Sequence, residues 1–372
     1  MKNVMAILNL NENEENLYEL TKHRPVSAIP FGGRYRLIDF ALSNLVNSGI
    51  INVGILMPEK FGPLIDHIRS GKEWDLDRQQ DGLFILPAAD GNAKRRGQLS
   101  KDLENFHANI NYLRNCRHEY IVISPAGTVC NINYKKAFMY HLEKDAEITV
   151  IYKNVGNDYP LEGALTMAVD ERGRVTDMAY NARETHNDCL AMEMYIMKRT
   201  VLIEIIDNCI ARGQNNLAMD GILRNLDTYR VYGYEHEGYI GRVDSVYSYY
   251  KHNMDILNPE VRNDLYFSNG LIYTKTRSEA PAKYSSSAKV INSVIANGCH
   301  IEGTVENSVL FRGVHVARGA VVRNSILMQK VRVEENAYID RVIFDKNVQI
   351  TSGRSMKGET TMPIVIEKNY II

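Results

Sequence analysis

Residues 309–339, VLFRGVHVARGAVVRNSILMQKVRVEENAYI, repeat apolar side chains at intervals of six. The members of this series are Val309, His315, Val321, Leu327, Val333 and Ile339. Five of the six are apolar, and a second series, from Gly313 through Gly319 to Ala337, is mostly small. A six-residue period is typical of a β-helix in which each hexapeptide forms one side of a triangular coil. We therefore predict a β-helix here, with an ordinary antiparallel sheet, which alternates every two residues, as the alternative.

The chain upstream of this repeat alternates short apolar runs with amphipathic stretches. Val4–Leu8, Ile51–Met57 and Tyr120–Ser124 predict buried strands, whereas Asp39–Asn47 predicts a helix. Strands that alternate with helices across short turns predict an α/β domain, Rossmann-like, with a mostly parallel sheet. Ligands of such sheets bind beyond the carboxyl ends of the strands. We therefore expect any chemistry in the loops that follow the first and third of these strands.

These two patterns divide the chain into three parts. We assign residues 1–257 to the α/β domain and 288–372 to the β-helix. Residues 258–287 are predicted to be a linker, because they contain two prolines and three consecutive serines.

Composition excludes several classes of protein. The 44 basic and 45 acidic residues give a net charge of −1, so nucleic acid is not an expected partner. No apolar run approaches the roughly 18 residues that a membrane span needs. The five cysteines are scattered and form no CxxC pair, which argues against a zinc site or a disulfide framework. We expect a cytoplasmic protein that does not contact a membrane.

Three segments resemble bacterial ADP-glucose pyrophosphorylases. They are FGGRYRLIDFALSN at 31–44, the segment Tyr247–Leu257, and EGTVENSVLFRGV at 302–314. The matches keep one order from Thr21 to Ile350. The resemblance implies a nucleotidyltransferase domain of the GT-A-like kind followed by a left-handed parallel β-helix. It also implies a link to adenylyl transfer from ATP to glucose 1-phosphate, which releases pyrophosphate in glycogen synthesis.

The phosphate-binding features of that family are missing from this chain. The family's first loop reads AGGRGTRL, whereas Asn9–Leu17 reads NLNENEENL and has no glycine that would let a triphosphate approach the backbone. Asn16 stands where the family has arginine, and the acids Glu12, Glu14 and Glu15 would repel phosphate. Val26 replaces the lysine of the family's KRAKPAVPF segment.

The metal and sugar-phosphate positions are also changed. The family's SGDHIYKMDY aligns with 124–134, which has no carboxylate, and the aspartate of GYWxDVGT aligns with Arg242. An arginine cannot bind Mg²⁺. Asn181 stands at the sugar-phosphate lysine, and Glu193 replaces a small glycine. We therefore expect this chain to have no catalytic residues, no metal site and no bound cofactor.

A changed active site on a retained fold resembles the GlgD-type branch of the family. That resemblance implies a regulatory subunit that forms a mixed tetramer with a catalytic ADP-glucose pyrophosphorylase subunit, for which Mg²⁺ would serve. It also implies an effector site for a sugar phosphate or nucleotide. The expected effector residues are His23, Arg24, Arg36 and Arg323. An equally weighted alternative is that Arg24 and Arg36 brace the fold against carboxylates such as Asp39.

Three other functions stay open at this point. The chain could be an active pyrophosphorylase that uses the displaced carboxylates Asp90, Asp188 and Asp244. It could be a hexapeptide acyltransferase with His300 or His315 as its base. It could also be a stand-alone sensor of sugar phosphates with no partner enzyme.

Overall fold

The computed structural model describes residues 1–57, 60–89, 102–155, 161, 163–180 and 189–372. Its first part is an α/β domain built around a nine-stranded sheet. The strands of this domain, including four in two small two-stranded sheets, are β1 (Val4–Asn9), β2 (Pro30–Phe31), β3 (Tyr35–Arg36), β4 (Asn52–Leu56), β5 (Gly82–Leu86), β6 (Tyr120–Ser124), β7 (Thr128–Cys130), β8 (Ile148–Asn154), β9 (Leu165–Val169), β10 (Val175–Tyr180), β11 (Cys189–Lys198), β12 (Val231–Glu235) and β13 (Ile240–Arg242).

The sheet has the order β10-β9-β11-β6-β1-β4-β5, and β8 pairs with both β11 and β12. Strands β5, β4, β1 and β6 are parallel, and the long strand β11 runs antiparallel to β6 and to β8. Residues Val4–Leu8 of β1 are all buried, as the continuous apolar run predicts for a central strand covered on both faces. The parallel half therefore sets the carboxyl edge at which ligands of such sheets bind.

Helices cover both faces of this sheet, and two more helices follow the last strand of the domain. They are α1 (Tyr18–Thr21), α2 (Leu37–Asn47), α3 (Gly62–Ile68), α4 (Asp102–Ala108), α5 (Ile110–Asn115), α6 (Tyr134–Glu143), α7 (Arg199–Ile210), α8 (Val246–Asp255) and α9 (Pro259–Phe267). Helix α2 ends at Asn47, and Gly49 follows with φ of +80°, which suits a glycine stop. None of the described helices has the length and apolar character that crossing a membrane would require.

The C-terminal part is a left-handed parallel β-helix of three five-stranded sheets. Its strands are β14 (Lys283–Tyr284), β15 (Lys289–Ile291), β16 (Val294–Ile295), β17 (His300–Ile301), β18 (Thr304–Glu306), β19 (Val309–Leu310), β20 (His315–Val316), β21 (Val321–Arg323), β22 (Ile326–Leu327), β23 (Arg332–Val333), β24 (Tyr338–Asp340), β25 (Val342–Phe344), β26 (Gln349–Ile350), β27 (Ser355–Lys357) and β28 (Ile364–Ile366). The first sheet starts with β14, the second with β15 and the third with β16, and each adds every third strand.

The interior of the β-helix departs from a strict six-residue period. Its fully buried column is Leu310, Val316, Val322, Leu327, Val333, Ile339, Phe344 and Ile350. The steps along this column are six, six and five residues. Each five-residue step passes a corner whose residue has a left-handed backbone, such as Asn324 with φ of +44° or Arg341 with φ of +54°. Six-residue steps also pass left-handed corners, such as Gly313 with φ of +70° and Lys330 with φ of +61°, so the corner conformation alone does not set the step length. Because the column mixes the two steps, Val309, His315 and Val321 of the predicted series lie one residue before the inward positions, whereas Leu327, Val333 and Ile339 coincide with them.

The outward face of the third sheet is also apolar, because the α/β domain packs against it. Phe311 and Met328 lie in one buried cluster with Phe31 and Phe40 of the first domain and with Tyr266 of the predicted linker. The turn after Phe31 allows this close approach. Gly32 has φ of +58°, and a Cβ there would collide with the hydroxyl of Tyr266. The 31–44 segment therefore forms much of the junction between the two domains.

The predicted linker, 258–287, contains one helix and one short strand. Helix α9 occupies Pro259–Phe267, and its Leu265 is buried in the cluster at the domain junction. Strand β14, at Lys283–Tyr284, pairs with β17 and so belongs to the first coil of the β-helix. The domain boundaries drawn from the sequence otherwise stay a prediction.

Candidate functional site

The carboxyl ends of β1 and β6 meet where we expected the chemistry. Glu12, three residues past β1, turns back across this edge, and its Oε1 accepts a hydrogen bond of 2.8 Å from the backbone N–H of Ala126. Its Cγ would lie 2.9 Å from a Cβ on Gly127. A carboxylate of the protein itself therefore occupies a backbone donor at this edge, where a phosphate group would need both donors and positive charge.

In the described part of the chain, the cation found beside the rest of the first loop is already paired with a carboxylate. Lys60 lies near the loop, but its Nζ is 2.9 Å from the carboxylate of Glu14 and donates to the carbonyl of Thr21. Asn16 is exposed at a short 3₁₀ turn. Val26 is 1% exposed and packs in the apolar cluster that also contains Leu17.

The two segments that carry metal carboxylates in the resembling family lie side by side. Strand β13 pairs antiparallel with β7, and Arg242 is the register partner of Thr128. Arg242 forms an ion pair with Asp244 and donates from Nη1 to the carbonyl of Gly163 at 3.1 Å. The carboxylate of Asp244 also accepts a 2.9 Å hydrogen bond from Ser248 Oγ at the start of α8. The guanidinium therefore stands at the place where a metal ligand would be needed.

These residues do not fit Mg²⁺. A hard divalent cation needs several oxygen ligands, and here the carboxylate of Asp244 is ion-paired with the guanidinium of Arg242. Within the described residues, the one group of three His, Cys, Asp or Glu side chains close enough to share an ion lies elsewhere, on the β-helix.

Two further acidic side chains, Glu193 on β11 and Asp102 at the start of α4, interact with each other. Glu193 sits at an irregularity of this strand with φ of +54°, a conformation that favours the glycine of the resembling family. Burial raises the pKa of the Asp102 carboxyl to about 7, and the charge of Glu193 adds to this effect. Asp102 Oδ1 accepts hydrogen bonds from the backbone N–H groups of Leu103 and Leu217. Glu193 therefore brings a carboxylate to the position of the family's glycine, close enough to Asp102 to raise its pKa further.

Three residues from the sequence analysis lie outside the described residues. They are Asn181, at the family's sugar-phosphate lysine, and the two carboxylates Asp90 and Asp188.

Arg24 and Arg36 lie together at the domain junction. Arg24 is 5% exposed, forms an ion pair with the buried Asp345 of the β-helix, and donates from Nε to the carbonyl of Leu20. Arg36 donates from Nη1 to the carbonyl of Pro63 at 2.6 Å. The carboxylate of Asp39 accepts the backbone N–H of Arg36, and not its guanidinium, at 2.9 Å. The bracing alternative is therefore realised by Arg24, with Asp345 as its partner.

Two further cations that the sequence analysis missed complete this junction cluster, which we define as Arg24, Arg36, Arg277 and Lys346. Burial lowers the pKa of Lys346 to about 7, and the charges of Arg36 and Arg24 lower it further while Asp345 opposes them. Burial likewise lowers the pKa of Arg36 to about 10, and Arg24 and Arg277 contribute. Several cations held together in a partly buried place are a property of anion sites.

The other two predicted effector residues lie apart from this cluster. Arg323 is on β21 of the second sheet, where its Nε donates to Glu306 at 2.9 Å. Lys346 follows β25 of the third sheet, at a different corner of the coil. The expectation that Arg323 converges with Arg24 and Arg36 is therefore wrong, because its guanidinium pairs with Glu306 on the second sheet, whereas Arg24 pairs with Asp345 after the third sheet. His23 is exposed. Its pKa is lowered by partial loss of contact with water and by the nearby charges of Lys368 and Lys22.

Comparisons with known proteins agree with this arrangement. Residues 15–258 match the family described as nucleotidyl transferase, and residues 280–360 match the GlmU-like C-terminal hexapeptide family. The chain is thus a nucleotidyltransferase-type domain joined to a hexapeptide-repeat domain.

Relatives of known name cover almost the whole chain. The glycogen biosynthesis protein GlgD of Bacillus subtilis (strain 168) is 32% identical over 368 residues, which cover 99% of this chain and 96% of the relative. GlgD of Geobacillus stearothermophilus is 35% identical, with 86% and 82% covered. The glucose-1-phosphate adenylyltransferase of Bacillus mycoides (strain KBAB4) is 32% identical, with 97% and 96% covered. This chain belongs to the family of glucose-1-phosphate adenylyltransferases and GlgD proteins of glycogen biosynthesis.

Proposed function

We propose that this chain is a non-catalytic regulatory subunit of glucose-1-phosphate adenylyltransferase. The observation that carries the proposal is Arg242, a guanidinium on β13 beside β7, where the reaction needs a carboxylate for Mg²⁺. Glu12 supports it, because its carboxylate is hydrogen-bonded to Ala126 at the edge that would receive the triphosphate. This chain then binds no Mg²⁺ for catalysis, and the metal serves the partner subunit.

The partner in this proposal is a catalytic homologue, in a mixed tetramer. The first coil of the β-helix offers a place for contact between subunits. Strands β14, β15 and β16 each stand at the end of their sheet in the described part of the chain. Strand edges of this kind are usually covered by another element.

We expect the purified chain to co-elute with the catalytic homologue of the same source when the two are mixed at micromolar concentration. Size-exclusion chromatography with light scattering measures the mass of the complex, and each protein run alone is the control. A mass of four chains containing both proteins supports the proposal. If the chain elutes apart from the homologue at every ratio, the subunit proposal is wrong and the stand-alone sensor is favoured.

The regulatory part of the proposal rests on the junction cluster. We propose that a phosphate-bearing effector binds there, between the α/β domain and the corner that holds Asp345 and Lys346. Arginines bind phosphate oxygens in pairs, and a lysine adds a point charge. Binding would bias the contact between the domains, because Arg24 already joins them through Asp345.

This proposal predicts a pH dependence for anion binding. Lys346, with a pKa of about 7, is half charged at neutral pH, and Arg24, Arg36, Arg277 and Asp345 surround it. An anion favours the charged ammonium, so above about pH 7 binding must take up a proton and affinity should fall by up to about tenfold per pH unit. Sulfate is the probe, because its own charge stays constant, and calorimetry between pH 6 and 8.5 measures it.

Matched variants separate this site from general charge attraction. Lys346→Met should weaken sulfate binding at pH 6 and abolish the fall of sulfate affinity above pH 7. Lys289→Met removes an exposed lysine from the second sheet. It should leave the sulfate affinity at pH 6 and its pH dependence unchanged. A sulfate affinity that is the same in the Lys346→Met variant and the original chain would contradict the proposal.

A further inference from the structure

Two histidines and a glutamate form a group on the outer surface of the β-helix. His300 on β17 and His315 on β20 are register partners on neighbouring coils of the first sheet. Glu302 follows His300 by two residues. The group lies on a different sheet from the third, which packs on the α/β domain, and it takes no part in the function proposed above.

The three side chains converge on one point. The Nε2 atoms of His300 and His315 are each 3.6 Å from Oε1 of Glu302. The two ring centroids are 5.1 Å apart and tilted by 42°, and the three candidate ligand atoms all lie within 4.8 Å of one another. Ligand atoms about 2.0–2.2 Å from one tetrahedral ion are about 3.3–3.6 Å apart. The observed separations need only small side-chain rotations to meet that geometry.

The backbone holds these side chains on a rigid support. The residues beside the two histidines, Ile301 and Val316, are fully buried in the core of the coil. The backbone N–H of His315 donates to Val331 at 2.9 Å, and that of Glu302 donates to Val316 at 2.8 Å. Sites built on strands lose little conformational freedom when they bind, which favours a preformed metal site.

We propose that His300, Glu302 and His315 bind one divalent transition-metal ion of the Zn²⁺ class. Two imidazole nitrogens and one carboxylate oxygen suit Zn²⁺, Co²⁺ or Ni²⁺, whereas Mg²⁺ and Ca²⁺ prefer sites made of oxygen alone. The three side chains are between 32% and 39% exposed, so a fourth position faces the solvent and holds water. The sulfur-free donor set explains why a search for cysteine motifs does not reveal the site.

Titration of the tag-free full chain with Co²⁺ tests the proposal. Co²⁺ reports its coordination through its visible absorption, and Zn²⁺ displaces it from a site of this kind. We expect one Co²⁺ per chain with a micromolar dissociation constant, and displacement by one equivalent of Zn²⁺. Millimolar Mg²⁺ should leave the spectrum unchanged.

Variants assign the ion to these residues. His315→Ala, His300→Ala and Glu302→Gln should each weaken Co²⁺ binding by at least about tenfold. Arg332→Ala changes the register partner of His315 on the next coil without removing a ligand, and His107→Ala removes an exposed histidine of α4. Both controls should bind Co²⁺ as tightly as the original chain does. Circular dichroism checks that every variant is folded.

Any of three results would overturn the proposal. One is a chain that binds no Co²⁺ or Zn²⁺ at 100 μM, a concentration about a hundred times the expected dissociation constant. Another is equal affinity in His315→Ala, Glu302→Gln and the original chain, which would assign the ion to other residues. If Glu302→Gln alone keeps full affinity, the site is a two-histidine site, and the three-residue assignment is wrong.

Discussion

The purified chain, at saturating ATP, Mg²⁺ and glucose 1-phosphate, is expected to form ADP-glucose at least about a thousandfold more slowly than a catalytic homologue. Loss of a single charge-stabilising group commonly costs about 10²–10³-fold in rate. Here the carboxylate of Glu12 accepts a hydrogen bond from a backbone donor, and Arg242 stands where the resembling family has its metal aspartate. On the proposed function, two independent contributions to the rate would be lost. Release of pyrophosphate, followed with a coupled assay, measures the rate.

The assay needs a positive control and a test of the displaced carboxylates. The glucose-1-phosphate adenylyltransferase of Bacillus mycoides provides the control, because it is 32% identical over nearly the full length. Any remaining turnover is examined in Asp244→Asn. A rate within tenfold of ordinary enzymes, about 1–10³ s⁻¹, would show that the chain is an active pyrophosphorylase. Dependence of that rate on Asp244 would then identify the replacement ligand.

Replacement of Arg24 by Met is expected to destabilise the protein by about 3–5 kcal/mol. The side chains of Arg24 and Asp345 are 6% and 1% exposed, so removal of one leaves a buried charge without its partner. Unfolding in urea, followed by circular dichroism, measures the change. The double replacement Arg24→Met with Asp345→Leu should recover part of the loss, because neither member of the pair is then buried without the other.

An exposed ion pair in the same chain is the matched control. Arg114 and Asp207 are 2.9 Å apart, with side chains 50% and 46% exposed. Arg114→Met should change the free energy of unfolding by no more than about 1 kcal/mol. If Arg24→Met costs as little as Arg114→Met, the pair at the junction does not hold the two domains together.

Local patterns were enough to predict the elements of this fold. The apolar run Val4–Leu8 is long enough for a strand buried on both faces, and it forms the centre of the sheet. The six-residue rhythm identified the β-helix but placed its inward column one residue early at His315. The error arose because the inward column mixes six-residue steps with five-residue steps, one of them between Val322 and Leu327, and a strict six-residue series cannot stay in register with it.

Contacts between distant parts of the chain could not be predicted in the same way. Arg24 and Asp345 are separated by 321 residues, and nothing in either local sequence indicates the other. Lys346 was missed because a lysine at a coil corner is ordinarily exposed, and its low pKa arises only when the α/β domain covers that corner. Arg323 was misplaced for the same reason, since the three faces of a solenoid have similar repeats and only the packing of the first domain distinguishes them.

The left-handed corners of the β-helix bear on how proteins of this shape could gain or lose coils. Strands β20, β23 and β26 of the first sheet pair at a constant offset of 17 residues, and each of these coils has its own corner residues. A coil therefore behaves as an interchangeable unit that carries everything required for its own closure. Coils inserted whole beyond the junction would extend the far end of the molecule and leave the contact between Arg24 and Asp345 unaltered. Growth of the solenoid is thus separable from the contact that joins it to the α/β domain.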